Sequence, residues 1–298
     1  MNERKKMLIT GASGFLGWNL CKAAHDGYAV TGVSHSRPVA VEGVVARQCD
    51  LRDDGAVSSL FASVNPDAVV HVAAMVNPNE CQEYPEASRD INVAAALRIA
   101  RHSGTRNIVC VYISTDLVFD GRDPPYCEES VPHPVSRYGE HKLEAEIGMQ
   151  KECRDLLVCR VPLMYGDAPP GAHSFIQPMI TALREGREIT LYTDEYRTPA
   201  CSVSVAQGIL LALEKARGTI HLGGRERISR YDFGQKLAAA MRVKNPRIKG
   251  VLQREAAMGT PRPPDVSFDS SKAFALGYAP LSIDEEFTRL ACLRSFEP

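Results

Sequence analysis

Two short segments of the chain carry side chains that could together move a proton at a carbonyl or alcohol oxygen. One is Ser114-Thr115-Asp116, which offers a hydroxyl, and the other holds Tyr138 and Lys142. A spacing of four residues places Tyr138 and Lys142 on one face of a helix, about a turn apart. Because a nearby positive charge favours the phenolate, we expect Lys142 to lower the pKa of Tyr138 below its ordinary value near ~10. Such a phenol gives or takes a proton while hydride moves at the adjoining carbon.

The same spacing also occurs by chance on exposed helices, and the N-terminal segment favours the chemical interpretation. Met7–Thr10 is a short apolar run that predicts a buried parallel strand, and a helical pattern follows from Trp18 to Ala24. Between them lies a turn with the spacing G-x-x-G-x-x-G, at Gly11, Gly14 and Gly17. Strand, glycine turn and helix in this order are typical of a dinucleotide site, where a pyrophosphate binds at the helix N-terminus.

Strand-like and helix-like stretches alternate through the first half of the chain. This alternation predicts an α/β fold with a doubly wound parallel sheet, a Rossmann-type dinucleotide-binding domain over residues 1–165. The predicted strands after the first lie at Tyr28–Val33, Val44–Ala46, Ala68–His71, Ile108–Ile113 and Leu156–Cys159. From Gly166 onward the alternation breaks down, which predicts a smaller substrate-binding α/β part over residues 166–298, packed on the first and able to return some elements to it. Ligands of such sheets bind beyond the carboxyl ends of the strands.

The end of the second predicted strand bears on the choice of cofactor. An NAD enzyme places a carboxylate there to bind the ribose 2′-hydroxyl, whereas an Arg accommodates a 2′-phosphate. Here Ser34, Ser36 and Arg37 follow Val33, with no carboxylate among them. Charge-assisted bonds from Arg37 to a phosphate favour NADP(H), with NADH use left open. The alternative is that Arg37 is a solvated loop residue.

Over nearly its whole length the chain resembles the extended short-chain dehydrogenase/reductases, and within them the dTDP-4-dehydrorhamnose reductases. The segment from Ser114 to Glu146, STDLVFDGRDPPYCEESVPHPVSRYGEHKLEAE, is similar to that family's pattern STDxVFDG…PYxE…P…YGxxKLxxE. The later segments EYRTPACSVSVAQGI and IHLGGRERISRYDFGQKLA resemble it too. The resemblance implies NADPH-dependent reduction of the 4-keto group of a nucleotide-linked deoxysugar, foremost dTDP-4-dehydrorhamnose to dTDP-L-rhamnose.

The resemblance also implies residue roles. Tyr138 would donate the proton, Lys142 would bind the nicotinamide ribose, and Thr115 would hold the substrate oxygen. The predicted cofactor-binding residues are Gly11, Ser13, Gly14, Phe15, Leu16, Gly17, Ser34, Ser36, Arg37, Asp50, Leu51, Ala73, Ala74, Tyr138 and Lys142. Substrate contacts are predicted at Thr115, Asp116, His173 and Arg197, although Arg197 could equally form a surface salt bridge and His173 could be structural or solvent-facing.

Other functions within this branch stay open. Related dehydratases place Asp-Glu after the Thr, whereas Leu117 stands at the second position here, so water elimination is disfavoured. Related epimerases usually show the acidic ribose contact that this chain lacks. Leu163 stands where many of the reductases have Trp, and this segment resembles the NADP-binding regulatory (beta) subunit of methionine adenosyltransferase. A regulatory role without catalysis is therefore the alternative.

Composition suits an enzyme of the cytoplasm. The 298 residues include 35 basic and 36 acidic side chains, and a net charge of −1 gives no field to attract nucleic acid or an acidic membrane. No apolar run is long enough to predict a membrane span. Nine scattered cysteines indicate reduced thiols, and no metal-ligand spacing is present, so no metal is expected. The oligomeric state is left open, with a homodimer among the alternatives.

Overall fold

The structure is a computed structural model that describes residues 4–172, 174–255 and 259–292. His173, a predicted substrate contact, lies outside the described residues. None of the helices in these ranges is long and apolar enough to cross a membrane.

The strands follow one another along the whole described chain. They are β1 (Lys6–Thr10), β2 (Ala29–Ser34), β3 (Val45–Gln48), β4 (Ala68–His71), β5 (Val109–Thr115), β6 (Leu156–Val161), β7 (Met164–Tyr165), β8 (Ile189–Tyr192), β9 (Tyr196–Arg197), β10 (Ala200–Cys201), β11 (Gly218–His221), β12 (Ile228–Ser229) and β13 (Ile248–Val251).

Eleven α-helices lie between and after these strands in the described residues. They are α1 (Phe15–Ala24), α2 (Asp54–Val64), α3 (Pro78–Glu83), α4 (Pro85–Arg89), α5 (Ala95–Gly104), α6 (Arg137–Glu152), α7 (Ile176–Arg184), α8 (Ser202–Lys215), α9 (Arg230–Ala240), α10 (Ser271–Leu276) and α11 (Ile283–Cys292). A π-helical turn at Asp90–Ala94 joins α4 to α5, and 3₁₀ turns lie at Asp116–Val118 and Gln253–Glu255.

Seven parallel strands form the central sheet in the order β11-β6-β5-β4-β1-β2-β3. The predicted fold class, a doubly wound parallel sheet, is confirmed. The chain winds outward from β1 in both directions, so the order reverses between β1 and β4. A crevice opens at such a reversal, beyond the carboxyl ends of the strands.

The strands are apolar runs because the sheet is covered on both faces. Along β1, Met7 and Ile9 pack into the core beneath α1 and α8, whereas Leu8 packs into the opposite core beneath α2, α5 and α6. All three side chains are fully buried. Alternation of this kind follows from the period of two along a strand.

The C-terminal part has its own aromatic core. Tyr165, Phe233 and Phe287 contact one another edge to face, with ring centroids 5.3 to 5.6 Å apart. Short strand pairs surround this core, including the parallel pair of β13 with β8. From the same half of the chain, β11 pairs with β6 and completes the central sheet, and α8 packs beside α1 over one face of that sheet. The division of the chain at residues 165 and 166 stays a prediction.

Candidate active site

The turn after β1 is shaped for a close approach of backbone to ligand. Gly11 has φ +66°, and a Cβ on it would lie 2.7 Å from the amide nitrogen of Ala73. A Cβ on Gly17 would lie 2.2 Å from the carbonyl oxygen of Gly11. Only glycine fits at these two positions, so α1 begins directly against the turn. Its N-terminus has no capping side chain and no acidic residue in its first turn, which leaves the first amides able to bind an anion.

The predicted adenosine-side residues gather at the ends of β2 and β3. Ser34 is buried and its carbonyl accepts from the amide of Cys49, whereas Ser36 and Arg37 are exposed. Arg37 donates from Nη1 to the carbonyl of Gly171, in the C-terminal part. Arg52 binds both carboxylate oxygens of Asp50, and its hydrogen bonds hold the pKa of Asp50 below its ordinary value. Their contacts with a cofactor stay predictions.

The backbone after β4 is held against the glycine turn by a residue that sequence reasoning missed. Thr10 Oγ1 accepts hydrogen bonds from the amides of Val72 and Ala73, at 3.1 and 3.2 Å. It also lies 2.8 Å from His71 Nδ1. Burial, together with the charge of Lys142, lowers the pKa of His71 to about 3, so the ring is neutral at neutral pH. The signal in the sequence was a polar residue ending each of two apolar strands.

Thr115 and Tyr138 come from different elements that a glycine brings together. Thr115 ends β5, and Tyr138 lies in the first turn of α6. A Cβ on Gly139 would lie only 2.2 Å from the carbonyl oxygen of Leu117, so α6 begins directly against the backbone that follows Thr115. Ser136 caps the helix by accepting from the amide of Gly139. The Thr115 hydroxyl opposes the rise in the pKa of Tyr138 that burial causes.

Lys142 lies one turn further along α6 and is almost fully buried. Its Nζ donates to the carbonyl of Ile113 at 2.6 Å and lies 4.0 Å from the ring centroid of Tyr112. Burial lowers the pKa of Lys142 to about 7, although Glu146 opposes the shift. The catalytic residues predicted from the sequence are thus brought to one edge of the sheet, beside the glycine turn.

The expected direction of the Tyr138 pKa is wrong for this structure. Burial raises that pKa above its ordinary value, and the charge of Asp116 adds to the shift. Lys142 does not reverse it because its ammonium is directed at the Ile113 carbonyl and its own charge is weakened by burial. The phenol is therefore held protonated at neutral pH.

Asp116 and Arg197 form a buried ion pair beyond Thr115. Arg197 Nε lies 3.5 Å from Asp116 Oδ2, and Arg197 Nη2 lies 3.3 Å from Glu195 Oε1. The remaining guanidinium nitrogen donates to the carbonyls of Tyr196 and Pro263. Arg197 is only 5% exposed, so the surface salt bridge considered for it does not occur. Its contact with a substrate stays a prediction.

Asn92 is a second residue that sequence reasoning missed. The apolar positions between Tyr84 and Ser103 are typical of one helix, but the π turn at Asp90–Ala94 interrupts it and holds Asn92 in the interior. Its side chain accepts from the amide of Met75 at 2.8 Å and donates to the Met75 carbonyl at 3.0 Å. It also donates to Ser88 Oγ, which lies 2.9 Å from His141 Nδ1. This network ties the segment after Ala74 to α6, next to Lys142. The signal was an Asn within an otherwise apolar helix face.

Within the described residues no group of three or more His, Cys, Asp or Glu side chains could hold a metal ion. The polar groups that the described residues bring to this site are hydroxyl, ammonium, carboxylate and guanidinium groups. The glycine turn, in contrast, fits a dinucleotide, since a side chain at Gly11 or Gly17 would fill the space against backbone.

The chain is similar to known proteins over most of its length. The chain is 30% identical over 283 residues to methionine adenosyltransferase 2 subunit beta from Danio rerio, covering 92% of this chain and 85% of that protein. A solved structure of a hypothetical dTDP-4-dehydrorhamnose reductase from Sulfolobus tokodaii superposes with a TM-score of 0.81 at 30% identity, over 94% of this chain and 98% of that one. The dTDP-4-dehydrorhamnose reductase from Bacillus anthracis, solved in complex with NADP, shares the fold with a TM-score of 0.87 at 22% identity, over 97% and 99% of the two chains.

The predicted resemblance is confirmed at the level of family. The sequence model described as RmlD substrate binding domain matches residues 5–289, nearly the whole chain. The chain therefore belongs to the RmlD substrate binding domain family.

Proposed function

We propose that this protein is an NADP(H)-dependent oxidoreductase that reduces the 4-keto group of a nucleotide-linked deoxysugar, with dTDP-4-dehydrorhamnose as the first candidate and dTDP-L-rhamnose as the product. One observation carries the proposal: Thr115, Tyr138 and Lys142 meet at the carboxyl edge of the sheet, beside a glycine turn that fits a dinucleotide. Membership of the family and the 30% identity to the hypothetical dTDP-4-dehydrorhamnose reductase of Sulfolobus tokodaii support it.

The cofactor would bind along the predicted residues. Gly11 and Gly17 leave room for the pyrophosphate, and Ser36 and Arg37 are exposed where a 2′-phosphate would lie. When bound, NADPH supplies the hydride that the carbonyl carbon receives. NADP in the Bacillus anthracis fold neighbour agrees with this choice.

The chain's own residues supply the proton and the orientation. Tyr138, protonated at neutral pH because of its burial, donates its phenolic proton to the substrate oxygen. Thr115 holds that oxygen by a hydrogen bond. Lys142 binds the nicotinamide ribose, and its ammonium is held in place by its hydrogen bond to the Ile113 carbonyl. Elimination of water is disfavoured because Leu117 stands in place of a second carboxylate.

A regulatory function is the second candidate, because the methionine adenosyltransferase 2 subunit beta from Danio rerio aligns over 92% of this chain. In that case the cofactor site would serve binding alone, and the chain would assemble with a catalytic methionine adenosyltransferase subunit. Because relatives with both kinds of name match this chain, a direct assay has to separate the two functions.

The deciding experiment measures NADPH oxidation by the purified protein with dTDP-4-dehydrorhamnose, beside size-exclusion chromatography with a catalytic methionine adenosyltransferase subunit. Turnover without co-elution supports the reductase. Co-elution without turnover supports the regulatory subunit and overturns the proposal.

A further inference from the structure

A buried row of alternating charges begins at Thr115 and leads away from it into the C-terminal part. It consists of Asp116, Arg197, Glu195 and Arg230. Asp116, Glu195 and Arg197 are each at most 5% exposed. Arg230 adjoins Glu195, whose charge opposes the lowering of the Arg230 pKa by burial. The row is charge-balanced, and its first member contacts a residue of the proposed catalytic site.

The hydroxyl of Thr115 has one proton, and it donates this proton to Asp116. Its Oγ1 donates to Asp116 Oδ1 at 3.1 Å and accepts from the amide of Leu117 at 3.2 Å. A ketone oxygen can only accept hydrogen bonds, so Thr115 can hold it only as a donor. While Asp116 is a carboxylate, it competes with the substrate oxygen for that proton, and a charged acceptor is the stronger of the two.

We propose that Asp116 is a positioning residue that decides where Thr115 donates: an ionised Asp116 keeps the Thr115 proton, and a neutral Asp116 releases it to the carbonyl oxygen of the substrate. This inference rests on the proposed reductase function and adds to it a pH-dependent control of the substrate contact.

The surroundings of Asp116 leave it able to change charge. Its Oδ2 accepts no hydrogen bond from the described residues and lies 3.5 Å from Arg197 Nε, which makes a loose ion pair. The charge of Glu195, from the segment before β9, disfavours the carboxylate, whereas the phenol of Tyr138, from α6, is neutral in this pH range. Beyond them, Arg230 and Arg262 face the far side of the row. Burial outweighs Arg197 and the Thr115 hydrogen bond, and raises the pKa of Asp116 to about 6.

The titration of Asp116 sets the direction in which the Thr115 contact depends on pH. Below about pH 6 Asp116 is neutral and Thr115 is free to donate, whereas above it the carboxylate retains the proton. We expect kcat/KM for reduction to fall by about tenfold between pH 5 and pH 8 and to level off, because one hydrogen bond of about 1.4 kcal/mol is lost. Tyr138 loses its proton only at a much higher pH, so its titration does not contribute to this fall in kcat/KM.

The kinetic test compares pH profiles of the wild type, Asp116→Asn and Thr115→Val. The Asn side chain keeps the shape but stays neutral, so the fall near pH 6 should disappear and the variant should exceed the wild type at pH 8 by about tenfold. Thr115→Val should also lose the fall, at a rate no higher than the wild type's at pH 8. A wild type without the fall, or an Asn variant that keeps it or is slow at every pH, would overturn the proposal.

A readout without turnover separates this proposal from the proposed function. Carbon-13 NMR of the aspartate carboxyls identifies Asp116 as the signal lost in Asp116→Asn. It should titrate near pH 6 in the wild type and at a higher pH in Thr115→Val, because the hydrogen bond from Thr115 favours the carboxylate. Titration near the ordinary value of ~3.9, or no shift in Thr115→Val, would overturn the inference. If these titrations are observed but no reduction occurs, the reductase function is overturned. The pH-dependent role of Asp116 in that reaction is then overturned as well.

Discussion

At the scale of single residues, the proposed reduction depends most directly on the phenol of Tyr138. Its burial, at 8% exposure, and the neighbouring Asp116 keep the proton on the oxygen across neutral pH. A proton donor need not be a strong acid here, because the developing alkoxide of the substrate is a much stronger base. The hydroxyl of Thr115 lies beside it, so two hydrogen-bonding groups converge on one position.

Replacing Tyr138 with Phe should remove the proton donor and keep the ring. We expect kcat to fall by about 10²- to 10⁴-fold, while the Kd of NADPH changes little. NADPH oxidation and fluorescence titration measure the two quantities. Tyr84→Phe is the matched control, because Tyr84 is 54% exposed and its turnover should not change. An unchanged kcat in Tyr138→Phe would remove Tyr138 from the mechanism.

The burial of Lys142 should lower the free energy of unfolding of the wild-type protein. Its folded pKa of about 7 lies below the unfolded value of ~10.4, so between these pH values the unfolded chain binds more protons and wild-type stability rises with pH. At pH 6 the free energy of unfolding of Lys142→Met should therefore exceed that of the wild type by about 1 kcal/mol or more. This difference should disappear towards pH 10. It should also weaken both NADPH binding and kcat.

Urea unfolding at both pH values measures the difference. Lys151→Met, at an exposed position of the same helix, is the control and should show no such pH dependence. A Lys142→Met protein that is less stable than the wild type at pH 6 would contradict the burial argument.

Residue types could be predicted from the sequence, but their surroundings could not. The pair Tyr138 and Lys142 is visible as a spacing, whereas the direction of the Tyr138 pKa depends on burial that only the packed structure supplies. The pairing of Asp116 with Arg197 is equally invisible, since the two residues lie on separate segments and meet only through the fold.

At the scale of elements, the start of α6 positions the site, because Tyr138 and Lys142 both depend on where that helix begins. Its close contact with the backbone after β5 requires Gly139, where a Cβ would come within 2.2 Å of the Leu117 carbonyl. The helix cannot move outward without separating Tyr138 from Thr115.

Gly139→Ala should therefore destabilise the protein by about 2–4 kcal/mol and lower kcat more than tenfold, because the helix start has to shift. Thermal unfolding and NADPH oxidation measure the two effects. Gly27→Ala is the control, since a Cβ there meets nothing within 4 Å and the turn is exposed. Equal stability of the two variants would show that the close contact does not position α6.

The interruption between α4 and α5 could not be predicted from the spacing of apolar residues. The apolar positions between Tyr84 and Ser103 predict one continuous helix, and helical structure is indeed found there. The π turn at Asp90–Ala94 widens a single turn, and apolar spacing alone does not predict where such a turn occurs. What favours it is a distant contact, the two hydrogen bonds between Asn92 and the backbone of Met75.

At the scale of the whole molecule, the sheet could be predicted well because its physics is local. Strands buried on both faces are read directly from apolar runs, and the six predicted strands correspond to β1 to β6. The return of β11 to the edge of this sheet could not be read in the same way, since GTIH is short and its partner β6 is distant in the sequence. The seventh strand depends on α8 packing against α1.

Arg37 connects the two halves of the molecule and should also select the cofactor. If it binds a 2′-phosphate, the wild type should prefer NADPH to NADH by at least ~10-fold, worth about 1.4 kcal/mol. Arg37→Ala should weaken NADPH binding and leave NADH almost unchanged, because only NADPH carries that phosphate. Ser34→Asp should reverse the preference by repelling phosphate and accepting from the 2′-hydroxyl.

Fluorescence titration with both cofactors measures these preferences. Arg247→Ala, an exposed position in the C-terminal part, is the control for loss of a surface charge. Equal affinities for both cofactors in the wild type and in Arg37→Ala would show that this loop does not select between them.

The most direct test of the central proposal follows the hydride itself. The wild type is incubated with dTDP-4-dehydrorhamnose and NADPH that carries deuterium at both positions of the nicotinamide C4, and the product is analysed by NMR and mass spectrometry. Our account predicts dTDP-rhamnose with one deuterium at the sugar C4, formed by the wild type and lost in Tyr138→Phe. An absence of deuterium in the sugar, with NADPH bound by the wild type, would contradict it.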